Sequence, residues 1–552
     1  MASRNGSASE TNQASLKDQL TAALPTGFNC KIRYVHSPPK PCDPLFSALP
    51  GQDPEKTRLA SHFLTVSVDP ASLSHLGDAA SKEAGGDVIS FAVEVLAYTS
   101  KHLTTFFVSK VDSTSFIPRV RPSPIKTAVT TFLRWLANEE RRKRPRRKVV
   151  ISLFARAQAQ YLFPGSSDDK TKHVLDDRQL IKWWARVLDP IFPDVEGAGA
   201  ESEPDVHYQG YMTVPGYVGS ELRSFMPPSS QQTPSRPHWV PGNPLLELAR
   251  ARGVPEHAPP RCLLPRFPDD PKARFMQDLD DEIGISQDSK ITVSPSKRKN
   301  GRWTSVRDLD RFWEQMEFRQ ECSSGRVVGF LWLVISPKDV EASISQPLDT
   351  AAADSQDSAT SLGAAASSDP IDDPTPTGSA NSSPKKRKRK ALTGLIVPRQ
   401  PRLKQFPTSN LSEMQAEVDA HAGEGITLAK EGYDRAMHSL LQQDFSSLKI
   451  AARSTSKWIS EVKGIAGLNE DFGIAVAGAG RAETTAANGN ATNGAAAVND
   501  LGGMIRKKRK AADGPAPGGQ AVSGTQDGAV GGAQPGVNVL GGGMVRKKPK
   551  AR

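Results

Sequence analysis

The sequence predicts an α/β or α+β domain, a mixed central sheet ringed by helices, together with long disordered stretches. Within residues 16–337, segments rich in β-branched and aromatic residues alternate with segments whose apolar residues recur at helical spacing. Hydrophobic residues make up only 37% of the 552 residues, and aromatic residues 6%. Globular chains usually contain roughly 45–50% apolar residues. We therefore expect one sizeable domain and an unstructured remainder.

The strands are predicted from short runs of β-branched and aromatic residues. Residues 88–100 (VISFAVEVLAYTS) and 102–110 (HLTTFFVSK) follow each other after a very short gap, which predicts a β-hairpin in a largely buried sheet. Further strands are predicted at residues 148–154, 208–214 and 326–335.

The helices are predicted between these strands and after them. They are expected at residues 125–138, 177–191, 272–283, 306–320 and, within a longer helical pattern, 411–465. In the second of these, Leu180, Trp184 and Leu188 follow the apolar stripe of a buried helix face. The last segment is expected to pack back on the main domain.

Composition divides the chain into five segments. They are a disordered leader (1–15), the main domain (16–337), a disordered insert with a basic cluster (338–407), a helical segment (408–466) and a disordered basic tail (467–552). The insert and the tail are rich in Ser, Ala, Gly, Asn and Pro, a composition that buries too little apolar surface to fold alone.

Charge indicates acidic partners. Lys and Arg number 71 against 60 Asp and Glu, a net charge of +11, which attracts polyanions. Four basic clusters contribute, at residues 141–148, 385–390, 506–510 and 546–550. No aromatic residues interrupt them, so they offer sequence-independent attraction to phosphate or to acidic proteins. The clusters in the tail also fit nuclear-import signals, and the alternative for any one cluster is a solubilising tail. Three clusters in flexible sequence favour the nucleus.

Several protein classes are excluded. Cys30, Cys42, Cys262 and Cys322 stand far apart with no CxxC pair, which excludes a disulfide framework and a zinc finger, and no metal is predicted. Residues 1–19 lack the apolar core of a signal peptide, and no long apolar run occurs. We expect a soluble intracellular protein of the cytosol or nucleus.

The common catalytic motifs are missing: the sequence contains no GxSxG, P-loop or HExxH, and no GxGxxG that opens a helix after a strand. Three stretches remain as candidates for a site, and each has an ordinary structural interpretation beside the functional one. They are residues 266–275 (RFPDDPKARF), residues 154–164 (FARAQAQYLFP) and the pair Trp183–Trp184.

The first stretch allows two interpretations. Asp270 before Pro271 is an ordinary helix start, with Asp270 as the N-cap. Alternatively, Asp270 lies at a cleft and accepts or steers a proton, with Lys272 buried beside it. A buried lysine either pairs with a carboxylate or loses its charge.

The other two stretches are similarly open. Arg156 at a strand end suits an extended anionic ligand, but an edge strand with a solvated face explains the same pattern. Trp183 and Trp184 are about 100° apart around a helix axis. They cannot both point at the same core, so one of them is expected to line a pocket or an interface.

Taken together, these segments resemble the fungal histone acetyltransferases named as regulators of Ty transposition, which acetylate histone H3. The matching stretches lie at residues 93–114, 154–191, 266–275, 307–332 and 433–459. Five blocks in the same order cover most of residues 16–465, apart from the low-complexity insert. The fold implied is structurally akin to the metazoan CREB-binding-protein acetyltransferases.

The resemblance implies an acetyl-CoA-dependent lysine acetyltransferase and assigns its site. The catalytic positions fall on Asp270, Trp184, Tyr161 and Asp112, and the autoacetylated lysine on Lys272. The acetyl-CoA contacts fall on Val111, Asp112, Ser113, Phe154, Ala155, Arg156, Gln158, His173, Val174, Leu175 and Trp183. Direct transfer in a ternary complex is expected, because Cys262 has no paired histidine in the sequence to make it a nucleophile.

The resemblance also implies a nuclear enzyme that acts on a core-domain lysine of histone H3, with N-terminal tail lysines as further targets. Replication-coupled nucleosome assembly, the DNA damage response and transcription regulation are the processes implied. The expected partners are histone H3–H4 and two histone chaperones, the anti-silencing-function chaperone and a nucleosome-assembly-protein relative, with DNA contacted at most non-specifically. Two alternatives stay open: a non-catalytic chromatin-binding scaffold or histone chaperone, and a small-molecule N-acetyltransferase.

Overall fold

A computed structural model describes residues 14–73, 85–193, 206–229, 237–284, 301–319, 326–337 and 425–481. All of these residues belong to a compact unit that ends at Thr484, and a second unit, Thr485–Arg552, lies outside them. The predicted leader up to residue 13, the insert 338–407, residues 408–424 of the helical segment and the three basic clusters beyond residue 384 also lie outside the described residues.

The described residues form a mixed sheet of eleven strands ringed by helices, so the predicted fold class is confirmed. The strands are β1 Asn29–His36, β2 Lys40–Cys42, β3 Thr57–Val68, β4 Val88–Thr99, β5 Leu103–Ser113, β6 Lys148–Ala155, β7 Val206–Thr213, β8 Trp239–Pro241, β9 Gly329–Pro337, β10 Ile426–Thr427 and β11 Ile474–Ala477.

The helices are α1 Leu16–Ala23, α2 Pro124–Lys143, α3 Asp177–Leu188, α4 Gly219–Arg223, α5 Leu245–Ala251, α6 Pro260–Leu263, α7 Pro271–Glu282, α8 Leu309–Glu317, α9 Lys430–Leu441 and α10 Leu448–Ala466. Among the helices of the described residues, none is long and apolar enough to cross a membrane.

The sheet order is β10-β1-β3-β4-β5-β6-β9-β7-β8, with β2 beside β3 and β11 beside β1. β4 and β5 form the predicted antiparallel hairpin, with Thr99 opposite Thr104. β5 and β6 run parallel, with Leu103 opposite Lys148, so their carboxyl ends meet at one edge of the sheet. Ligands of open α/β sheets bind outside the carboxyl ends of such strands.

Both faces of the sheet are buried, because helices cover each of them. Along β5 the alternation of side chains puts Phe106 in one core and Phe107 in the other. The first core includes Trp135 of α2 and Trp458 of α10, and the second includes Phe312 of α8.

The remaining predicted elements match in part. Strands occur near all three later predicted positions, and α2, α3, α7 and α8 occupy the four predicted helix positions. In the part of the predicted 411–465 pattern that the structure describes, from residue 425, two helices occur, α9 and α10. Trp458 of α10 contacts Phe63 of β3 at 5.9 Å between ring centroids. β1, β2 and β3 were not singled out by the sequence.

The tail requires a correction, since order does not end at residue 466. Strand β11 lies inside the segment predicted to be disordered and pairs with β1, where Lys31 stands opposite Ala475. A four-residue strand flanked by Gly and Ala carries a weak local signal. Its formation depends on an edge of the sheet that lies far away in the sequence.

Candidate active site

A cavity of about 680 Å³ opens where β5 and β6 end. That volume lies within the range of about 300–1,000 Å³ that is usual for ligand pockets. The predicted site residues that line it are Val111, Asp112, Ser113, Phe154, Arg156, Gln158, Tyr161, His173, Val174, Leu175, Trp183 and Trp184. Ala155, Asp270 and Lys272 belong to the predicted set but do not line the cavity. Ala155, the last residue of β6, is instead buried in the first core.

Asp112 organises one wall of the cavity. Its Oδ2 accepts hydrogen bonds from the backbone N–H groups of Tyr161 (2.7 Å), Leu162 (2.9 Å) and Phe163 (3.3 Å). Its Oδ1 accepts from Lys172 Nζ at 3.0 Å. The carboxylate therefore fixes the turn that follows β6 through charge-assisted hydrogen bonds.

Tyr161 stands on that turn with its ring at the cavity. The phenol O–H donates to the backbone carbonyl of Arg156. Burial raises the pKa of Tyr161 to about 12, so the phenol stays protonated at neutral pH. Its hydroxyl is therefore a fixed donor that ties the turn to the end of β6.

Arg156 brings a positive charge to the cavity just beyond the end of β6. Its Nε is buried and makes no hydrogen bond to any atom of the described residues. A buried donor without a partner is costly, and such exceptions in a native fold call for an explanation. An anionic ligand in the cavity would supply the missing acceptor.

Trp183 and Trp184 lie on α3, which starts with a capping box. Asp176 accepts from the N–H of Gln179 at 2.7 Å, and Gln179 accepts from the N–H of Asp176 at 3.2 Å. The two indole centroids are 4.9 Å apart at an interplanar angle of 78°, and both residues line the cavity. The expectation that one of them lines a pocket is met by both, and Trp184 also belongs to the buried core, where the two rings meet edge to face.

Asp177 joins the walls of the site, and sequence reasoning missed it. Its Oδ1 accepts from the N–H of Ala157 at 2.7 Å, and its Oδ2 accepts from Arg326 Nε at 2.7 Å. Burial acts to raise the pKa of Asp177, but the hydrogen bonds from Arg326 and the backbone outweigh it and the pKa is lowered. In the sequence, Asp177 is recognisable only as an acidic residue in the first turn of a helix, which is an ordinary structural position.

Lys172, Lys110 and Asp269 also line the cavity without having been predicted. Lys110 contacts Glu94 at 3.3 Å and Asp269 at 3.8 Å. Lys110 and its partner Glu94 lie at an irregularity in the pairing of β4 and β5. Bulges of this kind often re-aim side chains beside active sites.

Asp270 and Lys272 form a buried ion pair at the start of α7. Asp270 is the N-cap, since its Oδ1 accepts from the N–H of Lys272 at 2.9 Å, and its Oδ2 also contacts Lys272 Nζ. The helix start of the first interpretation and the buried lysine of the second occur together, but Asp270 does not line the cavity as the second interpretation expected. Burial lowers the pKa of Lys272 against the opposing effect of Asp270.

Asp269 differs from Asp270 in exposure. The side chain of Asp270 is 0% exposed, whereas that of Asp269 is 71% exposed and faces the cavity. The backbone of Asp269 has φ +57°, in the left-handed region that disfavours most side chains. This turn therefore directs two adjacent carboxylates to opposite surroundings.

The comparisons with known proteins agree with one another. The model of the histone acetyltransferase KAT11-type domain matches residues 16–144 and 138–461. A curated relative, the histone acetyltransferase rtt109 of Aspergillus flavus, is 36% identical over 605 aligned positions, which cover 97% of this chain and 99% of the relative. The histone acetyltransferase rtt109 of Schizosaccharomyces pombe is 33% identical over 45% of this chain and 57% of its own length.

A solved structure is also similar. The crystal structure of Rtt109 from Aspergillus fumigatus superposes with a TM-score of 0.60 at 34% identity. The match covers 85% of this chain and all of the solved chain.

Proposed function

This chain belongs to the KAT11-type histone acetyltransferase family, and on that premise we propose that it transfers acetyl groups to lysines of histone H3 in the nucleus. The chain is an acyltransferase, and acetyl-CoA is the cosubstrate that the family implies. A core-domain lysine of H3 is the main target proposed, with tail lysines as further targets.

The observation that carries the proposal is the unpartnered guanidinium nitrogen of Arg156 in the cavity. A phosphate of coenzyme A would accept from it, and His173 and Lys172 also line the cavity. The volume of about 680 Å³ suits a ligand of that size, and the half-buried end of β5 at Val111 and Ser113 lines the same cavity. Acetyl-CoA supplies an activated thioester when bound.

The chain itself must bring a neutral lysine to that thioester. At pH 7 a lysine of pKa about 10.4 costs roughly 4.6 kcal/mol to deprotonate in water. The rings of Trp184 and Tyr161 can flank the aliphatic stem of the incoming lysine and exclude water, which disfavours its charged form.

The two carboxylates of the 269–270 turn have different proposed roles. Asp269 faces the cavity, so its carboxylate is placed to accept the substrate proton. Asp270 acts as a positioning residue, because its contacts go to Lys272 and to the start of α7. Autoacetylation of Lys272, which the resemblance implies, would remove the positive charge beside Asp270.

The biological setting is proposed on the same premise. Histone H3–H4 is the substrate, and the two acidic histone chaperones are the escorts that a chain of net charge +11 would attract. Nuclear residence, replication-coupled nucleosome assembly, the DNA damage response and transcription regulation follow from a role in histone acetylation. The relatives support this by name, since each is called a histone acetyltransferase.

Incubation with labelled acetyl-CoA and histone H3–H4, with and without chaperone, tests the proposal. We expect Arg156→Ala to raise KM for acetyl-CoA and Trp184→Ala to lower kcat, both at least about ten-fold, since each removes about 1.4 kcal/mol or more of stabilisation. The exposed Arg186→Ala serves as the matched control.

Two results would overturn the proposal. The first is that the Arg156 and Trp184 variants both transfer acetyl groups at the wild-type rate, which would show that the cavity is not the active site. The other is acetylation of free small amines in preference to H3–H4, which would favour the small-molecule acetyltransferase.

A further inference from the structure

We propose that a second, basic concavity, here called the basic cup, binds the phosphate backbone of double-stranded DNA. The cup has a volume of about 450 Å³ and is lined by Lys101, His102, the residues 144–148, Ala251 and Pro337. Residues 144–148 belong to the basic cluster noted in the sequence, and the acetyl-transfer site does not use them.

The sheet topology assembles the cup from distant segments. Leu103 pairs with Lys148 in the parallel register of β5 and β6, so the turn at Lys101 and the loop before β6 meet at one edge. β9 reaches the same edge, because Ile335 pairs with Val149.

This edge is the opposite end of the sheet from the active-site cavity. β6 spans Lys148–Ala155, 8 residues, from the cup to the cavity. At about 3.3 Å per residue the two sites lie roughly 25 Å apart. A ligand in the cup would therefore leave the active-site cavity free.

The cup carries an excess of positive charge. Its wall holds five cationic side chains: Lys101, Arg144, Arg146, Arg147 and Lys148. Glu140 pairs with Arg144 at 3.1 Å and with Arg147 at 3.4 Å, and Glu247 pairs with Lys148. The described residues that line the cup include these five cations and no Asp or Glu, and Lys101 and Arg146 are exposed.

The pairing with Glu140 also restricts the side chains of Arg144 and Arg147 before a ligand binds. Two guanidinium groups held by one buried carboxylate lose less side-chain entropy on binding than free arginines. Arginine forks match phosphate oxygens in bidentate geometry.

The lining favours a nucleic acid over an acidic protein. Among the described residues that line the cup, none is Phe, Tyr or Trp, and the apolar ones are Pro145, Ala251 and Pro337. Protein interfaces depend on buried aromatic and other large anchors, whereas binding to a phosphate backbone depends on charge and counterion release. Single-stranded nucleic acids are usually bound through stacking aromatic rings, so the duplex fits better.

The test measures the affinity of the full chain for a short fluorescent DNA duplex over a series of salt concentrations. We expect Lys101→Ala/Arg146→Ala to weaken binding at least about ten-fold at low salt. The slope of log affinity against log salt should become shallower by about 1.8, since two phosphate contacts are lost. The matched control is Lys17→Ala/Lys457→Ala, which removes the same charge from exposed positions outside the cup and should change the affinity less than about two-fold.

Two further measurements keep the result interpretable. The thermal unfolding transition establishes that each variant is folded, and the charge-conserving Lys101→Arg/Arg146→Lys should retain the affinity of the wild type. The affinity for polyglutamate is measured as well, because this polymer imitates the acidic surface of a protein partner.

Equal losses of DNA affinity in the cup variant and the control would overturn the proposal, because general charge would then explain the binding. A larger loss for polyglutamate than for the duplex would overturn it as well, and would assign the cup to an acidic protein. Retained DNA affinity in the folded cup variant would have the same effect.

Discussion

Asp112 on β5 and Lys172, 60 residues later in the sequence, form a buried ion pair with 3.0 Å between Oδ1 and Nζ. Their side chains are 6% and 5% exposed, so neither charge is well solvated. The same carboxylate holds the backbone of the turn at Tyr161. One residue thereby connects β5, the turn after β6 and the loop that carries Lys172.

Substitution of Asp112 should damage both stability and cosubstrate binding. Asp112→Asn leaves Lys172 buried without its charge partner, and breaking a buried pair in this way costs about 3–5 kcal/mol. Loosening of the Tyr161 turn should also raise KM for acetyl-CoA, which steady-state kinetics and chemical denaturation measure. Asp168→Asn, at an exposed position on the same loop, is the control. Wild-type stability in Asp112→Asn would contradict the role assigned to the carboxylate.

The Asp270–Lys272 pair makes a prediction about non-additivity. Asp270→Asn alone strands a buried ammonium and should destabilise the fold by about 3–5 kcal/mol. The double variant Asp270→Asn/Lys272→Met removes both charges and should be more stable than Asp270→Asn. Free energies of unfolding from urea titrations give the comparison. A double variant less stable than the single one would mean that the pair is not the main contact of either residue.

Gly329 at the start of β9 lies against the helix that carries the two tryptophans. A Cβ at this position would stand 2.7 Å from Cγ1 of Ile181 on α3. Gly329→Ala should therefore destabilise the protein by about 1–3 kcal/mol through overpacking. It should also lower kcat, because α3 must shift with Trp183 and Trp184.

Gly464 provides the matched substitution. It lies within α10, and a Cβ there would meet nothing within 4 Å. Gly464→Ala should stabilise the protein by about 0.5–1 kcal/mol, since alanine restricts the unfolded chain and favours the helix. Denaturation curves of the two variants should shift in opposite directions. A shift in the same direction would show that space around the added Cβ does not decide the effect.

His36 predicts a loss of stability in acid. Burial, with a smaller effect of Lys143, lowers the pKa of His36 from 6.5 to about 4. Between these pH values the unfolded chain binds a proton at His36 that the folded chain does not, so acidification favours unfolding. The contribution reaches at most about 3 kcal/mol at pH 4. It should be absent from His36→Gln, so the stability difference between wild type and variant should change with pH over this range. A difference that stays constant would contradict the prediction.

Local sequence patterns determined much of the fold. The run of β-branched and aromatic residues in β4 and β5, with a very short gap, predicted their hairpin because such residues fit a buried, pleated surface. β1 and β3 were not singled out, because polar residues such as Arg33 in β1 and Ser61 and Thr65 in β3 interrupt their apolar pattern although they are buried. Short strands such as β11 depend on an edge far away in the sequence, which no local pattern records.

Sequence patterns predicted the fold class and the helix start at Asp270, and the family resemblance predicted twelve of the residues that line the cavity. These features depend on local propensity or on a run of residues that can be read in order. The tertiary structure alone decided that Asp112 meets Lys172, that Asp177 joins two walls, and that Asp269 and not Asp270 faces the cavity. It also decided that a basic loop and a hairpin turn form one cup. Hydrogen bonds and charges act over a few ångströms, and such groups come that close only through long-range packing such as the pairing of β5 with β6.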